Sequence, residues 1–149
     1  MPAVLLVDDD PDDGDLLRLA FRRHGADADL AITVDVDHAL ALLQQMGPGA
    51  GRPGPLPAVV LLDLKLGATG GLEVLGRIRR SPATTALPVV VMTSSVEPRD
   101  VEEAYAAGAN GYVRKPDTFE ELVTAVGAIL QFWVYRNEMP GRRAQGACR

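Results

Sequence analysis

Short apolar runs in this chain stop abruptly at polar residues, and between the runs the apolar positions switch to helical spacing. Ala3–Val7 is an uninterrupted apolar run ending at Asp8, the pattern of a strand buried on both faces. Asp10-Pro11 opens a helix, with an aspartate suited to cap and a proline suited to the first turn. Leu16, Leu17, Ala20 and Phe21 continue at helical spacing until Gly25. Leu30–Val34 reads as a second strand, and Val36, Ala39, Leu40 and Leu43 as a second amphipathic helix. Val59–Leu62 is a third strand, ending at Asp63, and Leu72, Val74, Leu75 and Ile78 predict a helix that ends near Ser81-Pro82. Pro88–Met92 is a fourth strand, ending at Thr93, with a helix from Pro98 to Ala107 closed by Gly108. Gly111–Val113 is a short fifth strand before Lys115-Pro116, and Thr118-x-x-Glu121 is a capping box for a last helix running to about Arg136.

Strands and helices that alternate, with fully apolar strands, predict an α/β protein whose parallel sheet is covered on both faces. Right-handed crossovers make that five-stranded sheet doubly wound. The run GPGAGRPGPLP from Gly47 to Pro57 has neither period and reads as a surface insertion. The organisation expected is therefore one domain over residues 1–136, carrying an insertion loop at 47–57, and a C-terminal tail over 137–149.

Composition narrows the function classes. Apolar residues make up 47% of the 149 residues, enough for a core, and the net charge of −5 argues against a nucleic-acid binder, which needs clustered positive charge. Arg136, Arg142, Arg143 and Arg149 near the end are expected to be solvated. The single cysteine, Cys148, cannot form an intrachain disulfide. With no signal-peptide pattern at the N-terminus and no apolar run of ~18 residues to span a membrane, a cytoplasmic protein without membrane or nucleic-acid contact is expected.

Candidate chemistry gathers at the strand ends. In a doubly wound sheet, ligands bind outside the carboxyl ends of the strands. The first strand runs into Asp8 and Asp9, the third into Asp63, the fourth into Thr93, and the fifth leads to Lys115. Several carboxylates in one pocket repel one another unless some are protonated or a cation sits among them. A small set of hard oxygen ligands suits Mg²⁺, which keeps several waters and accepts a phosphate. A nucleophilic carboxylate, a metal, a lysine and a hydroxyl are the parts that phosphoryl transfer requires. Each residue also has a plainer reading: Asp10, Asp12 and Asp13 as helix cap and first-turn charges, Asp63 as a loop aspartate, Thr93 as a β-branched strand residue, Lys115 as a loop lysine. The plain readings do not explain why all of these fall in order at strand ends.

VLLVDDDP, VVLLDLKLGATGGLEVL, PVVVMTSS and GANGYVRKP resemble the signature blocks of CheY-like response-regulator receiver domains, over roughly Ala3 to Leu130. The resemblance implies a (βα)5 flavodoxin-like fold and a role in a two-component phosphorelay. It implies that Asp63 is the phosphoacceptor, that Asp9 binds Mg²⁺ directly and Asp8 mainly through water, and that Lys65 offers its backbone carbonyl to the metal. By the same resemblance Thr93 bonds the phosphoryl group, Ser94 keeps that side open by being small, and Lys115 pairs with the phosphoryl oxygens. Tyr112 takes the aromatic switch position, and the Lys115-Pro116 bond is expected to be cis. Such a protein is not an enzyme in the usual sense; it catalyses its own phosphorylation and dephosphorylation. Gly67 and Gly70 depart from the proline and aspartate usual after the acceptor, implying a more mobile loop. QFWVYRNEMP, from Gln131 to Pro140, resembles the end of stand-alone receivers that pair with phytochrome-type sensor kinases.

On the last helix, Phe119, Leu122, Val123, Val126, Ile129, Leu130, Trp133 and Val134 form one apolar stripe, while Phe132 and Tyr135 fall off it. That arrangement predicts a homodimer through this helix. About a dozen residues follow it, too few for an output module, so the signal is expected to leave by protein contact. His24 and His38 have no partner pattern and are expected at the surface. Two alternatives compete: a degenerate receiver that binds partners without phosphorylation, and an aspartate-nucleophile phosphatase of the haloacid-dehalogenase type, suggested by Asp8-x-Asp10.

Overall fold

The computed structural model describes residues 2–45, 56–66 and 70–140. Most of the Gly/Pro insertion, Gly67, Cys148 and the arginines beyond Pro140 lie outside the described residues. The strands are β1 (Val4–Val7), β2 (Leu30–Thr33), β3 (Val59–Leu62), β4 (Val89–Thr93) and β5 (Gly111–Arg114). The helices are α1 (Pro11–Arg23), α2 (Val36–Gln45), α3 (Gly70–Arg80), α4 (Pro98–Ala106) and α5 (Phe119–Ile129). All neighbouring strands pair in parallel in the order β2-β1-β3-β4-β5. The doubly wound five-stranded sheet expected from the apolar pattern is the observed fold.

The strand pleat sorts the core. Leu5, Val7, Val60, Leu62, Val89 and Val91 pack with α2, α3 and α4. Val4, Leu6, Val59, Leu61, Val90 and Met92 pack with Leu17, Ala20 and Phe21 of α1 and with Val126 and Ile129 of α5. Each such side chain, fully buried, contributes about 1.5–3 kcal/mol, and the alternation explains why β1, β3 and β4 read as unbroken apolar runs. The two helix starts fold as their residues dictate. The Asp10 side chain accepts from the Asp12 amide with Pro11 in the first turn, and Thr118 accepts from the Glu121 amide.

Beyond Ile129 the chain makes one wider π-helical turn, Leu130–Val134. The Tyr135 amide donates to the Leu130 carbonyl, five residues back. The wider turn shifts the register. Leu130, Trp133 and Val134 therefore join the core side, while Phe132 and Tyr135 are 52% and 60% exposed. His24 lies at the surface, within 2.7 Å of the Val123 carbonyl, and His38 pairs with Asp35 at the start of α2. At the rim where the strands begin, the Arg79 guanidinium donates to the Leu87 and Gly108 carbonyls and to Asn110. That rim is closed by structural bonds. The opposite rim holds the polar residues.

Candidate phosphoryl-transfer site

Backbone bonds carry the sheet ladder past the strand ends. The Asp8 amide donates to Thr33, the Asp63 amide to Val7 and the Lys115 amide to Thr93. The functional side chains are thus held by the sheet rather than by free loops. The pleat then divides them. Asp8 continues the face of Val4 and Leu6, and Asp63 that of Val59 and Leu61. Lys115 continues the face of Val113, which packs on the same side. All three emerge under α1 and α5.

There they meet. The Lys115 ammonium donates to Asp8 at 3.1 Å, to Asp63 at 2.9 Å and to Asp13 at 2.6 Å. Asp8 and Asp63 are buried, at 2% and 5% exposure. Asp63 is also fixed through its other oxygen, which accepts from the Lys65 amide at 3.0 Å, and Asp8 likewise from the Asp10 amide. Burial pushes the Asp8 carboxyl above its ordinary value, against the pull of the Asp10 amide and Lys115. For Lys115, burial works to lower the pKa. Hydrogen bonds to Asp13 and Asp63, with the charges of Asp8 and Asp63, outweigh it and hold the ammonium above the usual lysine value. The lysine is therefore charged, and the three carboxylates carry more negative charge than it neutralises.

Oxygen atoms of Asp8, Asp13 and Asp63 lie within 4.8 Å of one another, an arrangement that can hold a metal ion. The donor set is all carboxylate, which fits a hard cation such as Mg²⁺ or Mn²⁺. Asp9, expected to be the direct ligand, is exposed and lies outside this group of three. Asp13, read from sequence as a first-turn charge, lies inside it. The signal for Asp13 was present in the helical period. Leu17 and Phe21 are buried on α1, and Asp13 stands one turn before Leu17 on the same inward stripe.

The other half of the rim faces α4. Thr93 continues the face of Val89 and Val91, and its fully buried hydroxyl has no hydrogen-bond partner among the described residues. Leaving such a group unpaired costs about 1–3 kcal/mol. Thr93 lines a cleft of about 310 Å³ with Leu64, Lys65, Ser95, Asp100 and Glu103. Tyr112, half-buried on β5, donates its hydroxyl to the Ser95 carbonyl at 2.9 Å, and burial raises its pKa. The Ser95 hydroxyl donates to Asp100 of α4. Ser94 is exposed, as is the Lys65 side chain.

Gly70 and Gly71 earn their places at the start of α3. Gly70 has φ +72°, a conformation that costs glycine little. A Cβ on Gly71 would overlap the Asp63 carbonyl oxygen and the Leu64 backbone. The glycine pair thus lets α3 begin directly against the Asp63 and Leu64 backbone, while residues 67–69 of the loop expected to be mobile lie outside the described residues. The expected cis Lys115-Pro116 bond is a correction. No described peptide bond is cis, and the ordinary preference for trans, about 0.5–1 kcal/mol for a bond before proline, prevails.

Residues 4–127 match the response regulator receiver domain. The chain belongs to that family. It is 39% identical over 138 residues to the probable methanogenesis regulatory protein FilR2 of Methanothrix harundinacea, covering 93% of this chain and 87% of that one. It is 34% identical over 137 residues to response regulator Rcp1 of Synechocystis, covering 92% of both. Among solved structures, the phosphorylated cyanobacterial phytochrome response regulator RcpA superposes with a TM-score of 0.79 at 29% identity, covering 93% of this receiver and 97% of RcpA. The Mn²⁺-bound form of Rcp1 gives 0.74 at 32% identity, covering 94% and 100%. No helix among the described residues is long and apolar enough to cross a membrane.

Proposed function

We propose that this receiver accepts a phosphoryl group on Asp63 from a sensor histidine kinase of phytochrome type, in a Mg²⁺-dependent step, and signals by changing its α4–β5–α5 surface. The observation that carries the reading is Asp63 itself. It is a buried carboxylate gripped by Lys115 and the Lys65 amide, on a rim where the Thr93 hydroxyl is left without a partner among the described residues. That hydroxyl and the Lys115 ammonium are the donors a phosphoryl group needs.

In the step, an Asp63 oxygen attacks phosphorus. A new O–P bond forms as the donor's P–N or P–O bond breaks, and the leaving group keeps the electron pair. It departs as imidazole that takes a proton from water, or as acetate from acetyl phosphate. Hydrolysis reverses the modification when water attacks phosphorus, releasing phosphate and restoring the carboxylate. The protein thus catalyses its own modification rather than the turnover of a separate substrate. Asp8, Asp9, Asp63 and the Lys65 carbonyl are the groups assigned to Mg²⁺, which supplies the positive charge that lets an anionic donor approach an acidic pocket. Lys115 offsets the charge on the transferred group, and Thr93 bonds one of its oxygens. That bond draws on the β4–α4 connection, where Ser95 holds Tyr112 and Asp100, so a shift there re-aims the tyrosine and α4.

The phytochrome assignment is supported by the likeness to RcpA and to Rcp1, and the choice of a divalent cation by the Mn²⁺-bound form of Rcp1. Phe132 and Tyr135, exposed beside the core end of α5, support a homodimer through the C-terminal helix in the cytoplasm, read by sedimentation with and without phosphate mimic. The deciding experiment is incubation with Mg²⁺ and acetyl phosphate, followed by mapping of the modified residue. A labile phosphoryl group on Asp63, absent in Asp63→Asn, is expected. No modification at all would mean a degenerate receiver, and continuous phosphate release dependent on Asp8 would mean a phosphatase.

A further inference from the structure

Lys115 is a flexible side chain that must be held still to act, and ordering a lysine costs up to about 2 kcal/mol of rotamer freedom. Its three N–H donors are divided among Asp8, Asp13 and Asp63, and the shortest bond, 2.6 Å, goes to Asp13. On the phosphoacceptor reading, two of these three partners have other work. Asp8 is assigned to the cation, and Asp63 loses its carboxylate charge on modification. Asp13 also lies in the group of carboxylates that can hold a cation, but it is the one partner that the phosphoacceptor reading leaves unassigned. It is held from α1, whose first turn is fixed by the Asp10 cap and Pro11, and its side chain is 35% exposed, against 2% and 7% for those of Asp8 and Asp63. A 70 Å³ cleft lies behind the pair, walled by Leu16, Leu17, Pro116 and Leu122. These walls are apolar side chains, which offer the ammonium no side-chain acceptor.

We propose that Asp13 is a positioning residue that anchors the Lys115 ammonium beside Asp63, both before and after the acceptor is modified. The inference rests on the phosphoacceptor reading for its purpose but not for its geometry. It also separates Asp13 from its neighbour. Asp12 and Asp13 both sit in the first turn of α1 and stabilise the helix dipole alike, but only Asp13 bonds the lysine.

The chain has two lysines, Lys65 and Lys115, so ¹⁵N-lysine labelling of the whole protein gives two ammonium signals, one for each. Lys65 is exposed and exchanges fast. The Lys115 ammonium signal is expected to be protected in the unmodified protein, to persist with saturating Mg²⁺, and to persist with Mg²⁺ and beryllofluoride. In Asp13→Asn its exchange should quicken about tenfold and phosphoryl uptake from acetyl phosphate should fall about tenfold, the loss of one charge-assisted hydrogen bond. Asp12→Asn should change neither. Loss of the native signal on adding Mg²⁺ would show Asp13 leaving for the cation and would overturn the inference. So would an unchanged signal in Asp13→Asn, or equal effects of Asp12→Asn. If the native protein takes up no phosphoryl group while Asp13→Asn still releases the lysine, the anchor stands and the phosphoacceptor reading falls.

Discussion

The two halves of the functional rim are built on opposite principles. Under α1 and α5, Asp8, Asp13 and Asp63 surround Lys115, and every charged group has a partner. Under α4, Thr93 is buried with its hydroxyl unpaired among the described residues, and Tyr112 and Asp100 are linked through Ser95. The first half is rigid and over-bonded, with negative charge in excess. The second holds an unmet bond and a chain of single contacts. On the proposed reading such a division suits a switch: the charged half would fix where a phosphoryl group sits, and the under-bonded half would have something to gain when one arrives.

Breaking the charged half should have the largest effect. Lys115→Met leaves three carboxylates without their cation, and phosphoryl uptake from acetyl phosphate should fall about 10²-fold, the usual loss for a group that offsets developing charge. Mg²⁺ should then raise the melting temperature more in the variant than in the native protein; an equal rise would show that Lys115 does not offset the cluster. Next is the seam between the halves. Gly71→Ala places a methyl group against the Asp63 carbonyl and should cost about 1–3 kcal/mol in urea unfolding, with reduced uptake because the acceptor loop must move. A smaller effect is expected on the α4 side. Tyr112→Phe removes the bond to Ser95 and should cost about 1 kcal/mol. Uptake at Asp63 should stay within about twofold, as for sites that do not share partners, and a large fall would show that the two halves are one unit.

The smallest effect is a pH dependence. The Asp8 carboxyl is raised in the folded state, so the native protein binds this proton more tightly than the unfolded chain. Metal-free stability is therefore lost as pH rises from the ordinary aspartate value, about 3.9, through the folded one. Asp8→Asn should be relatively more stable than the native protein at pH 7 than at pH 4, measured as the difference in urea midpoints without Mg²⁺. Lys115 is also raised, with a consequence of the same sign but in a higher pH window. Its stabilising contribution is complete below the ordinary lysine value, about 10.4, and disappears only above it, so it does not mask the Asp8 effect. A native-to-variant difference that is flat between pH 4 and pH 7 would remove Asp8 as its source.

What the chain revealed in advance differs between the halves for a physical reason. Asp63, Thr93 and Lys115 were legible because each follows an apolar strand, and parallel strands deliver their ends to one edge. Asp13 was passed over because helix-start aspartates have a sufficient local explanation; the helical period puts it on the inward stripe with Leu17, but nothing local says that a lysine from a distant strand meets it there. The tie from Tyr112 through Ser95 to Asp100 was equally hidden, since it links β5, a loop and α4 by contacts that have no sequence period. Even Gly70, visible as a departure from the family pattern, and its neighbour Gly71 showed their purpose only when α3 was seen to start against the Asp63 backbone.

The sequence by itself determined the alternation of strands and helices, the order in which polar residues meet the sheet edge and, through the pleat, which face each follows. Those are consequences of period and hydrophobicity, which act along the chain. Tertiary structure alone decided that Lys115 takes three carboxylates, that Asp13 is among them, and that the Thr93 hydroxyl is left unpaired among the described residues. These outcomes depend on distances of a few ångströms between segments far apart in sequence, where charge and burial are set by packing rather than by neighbours along the backbone.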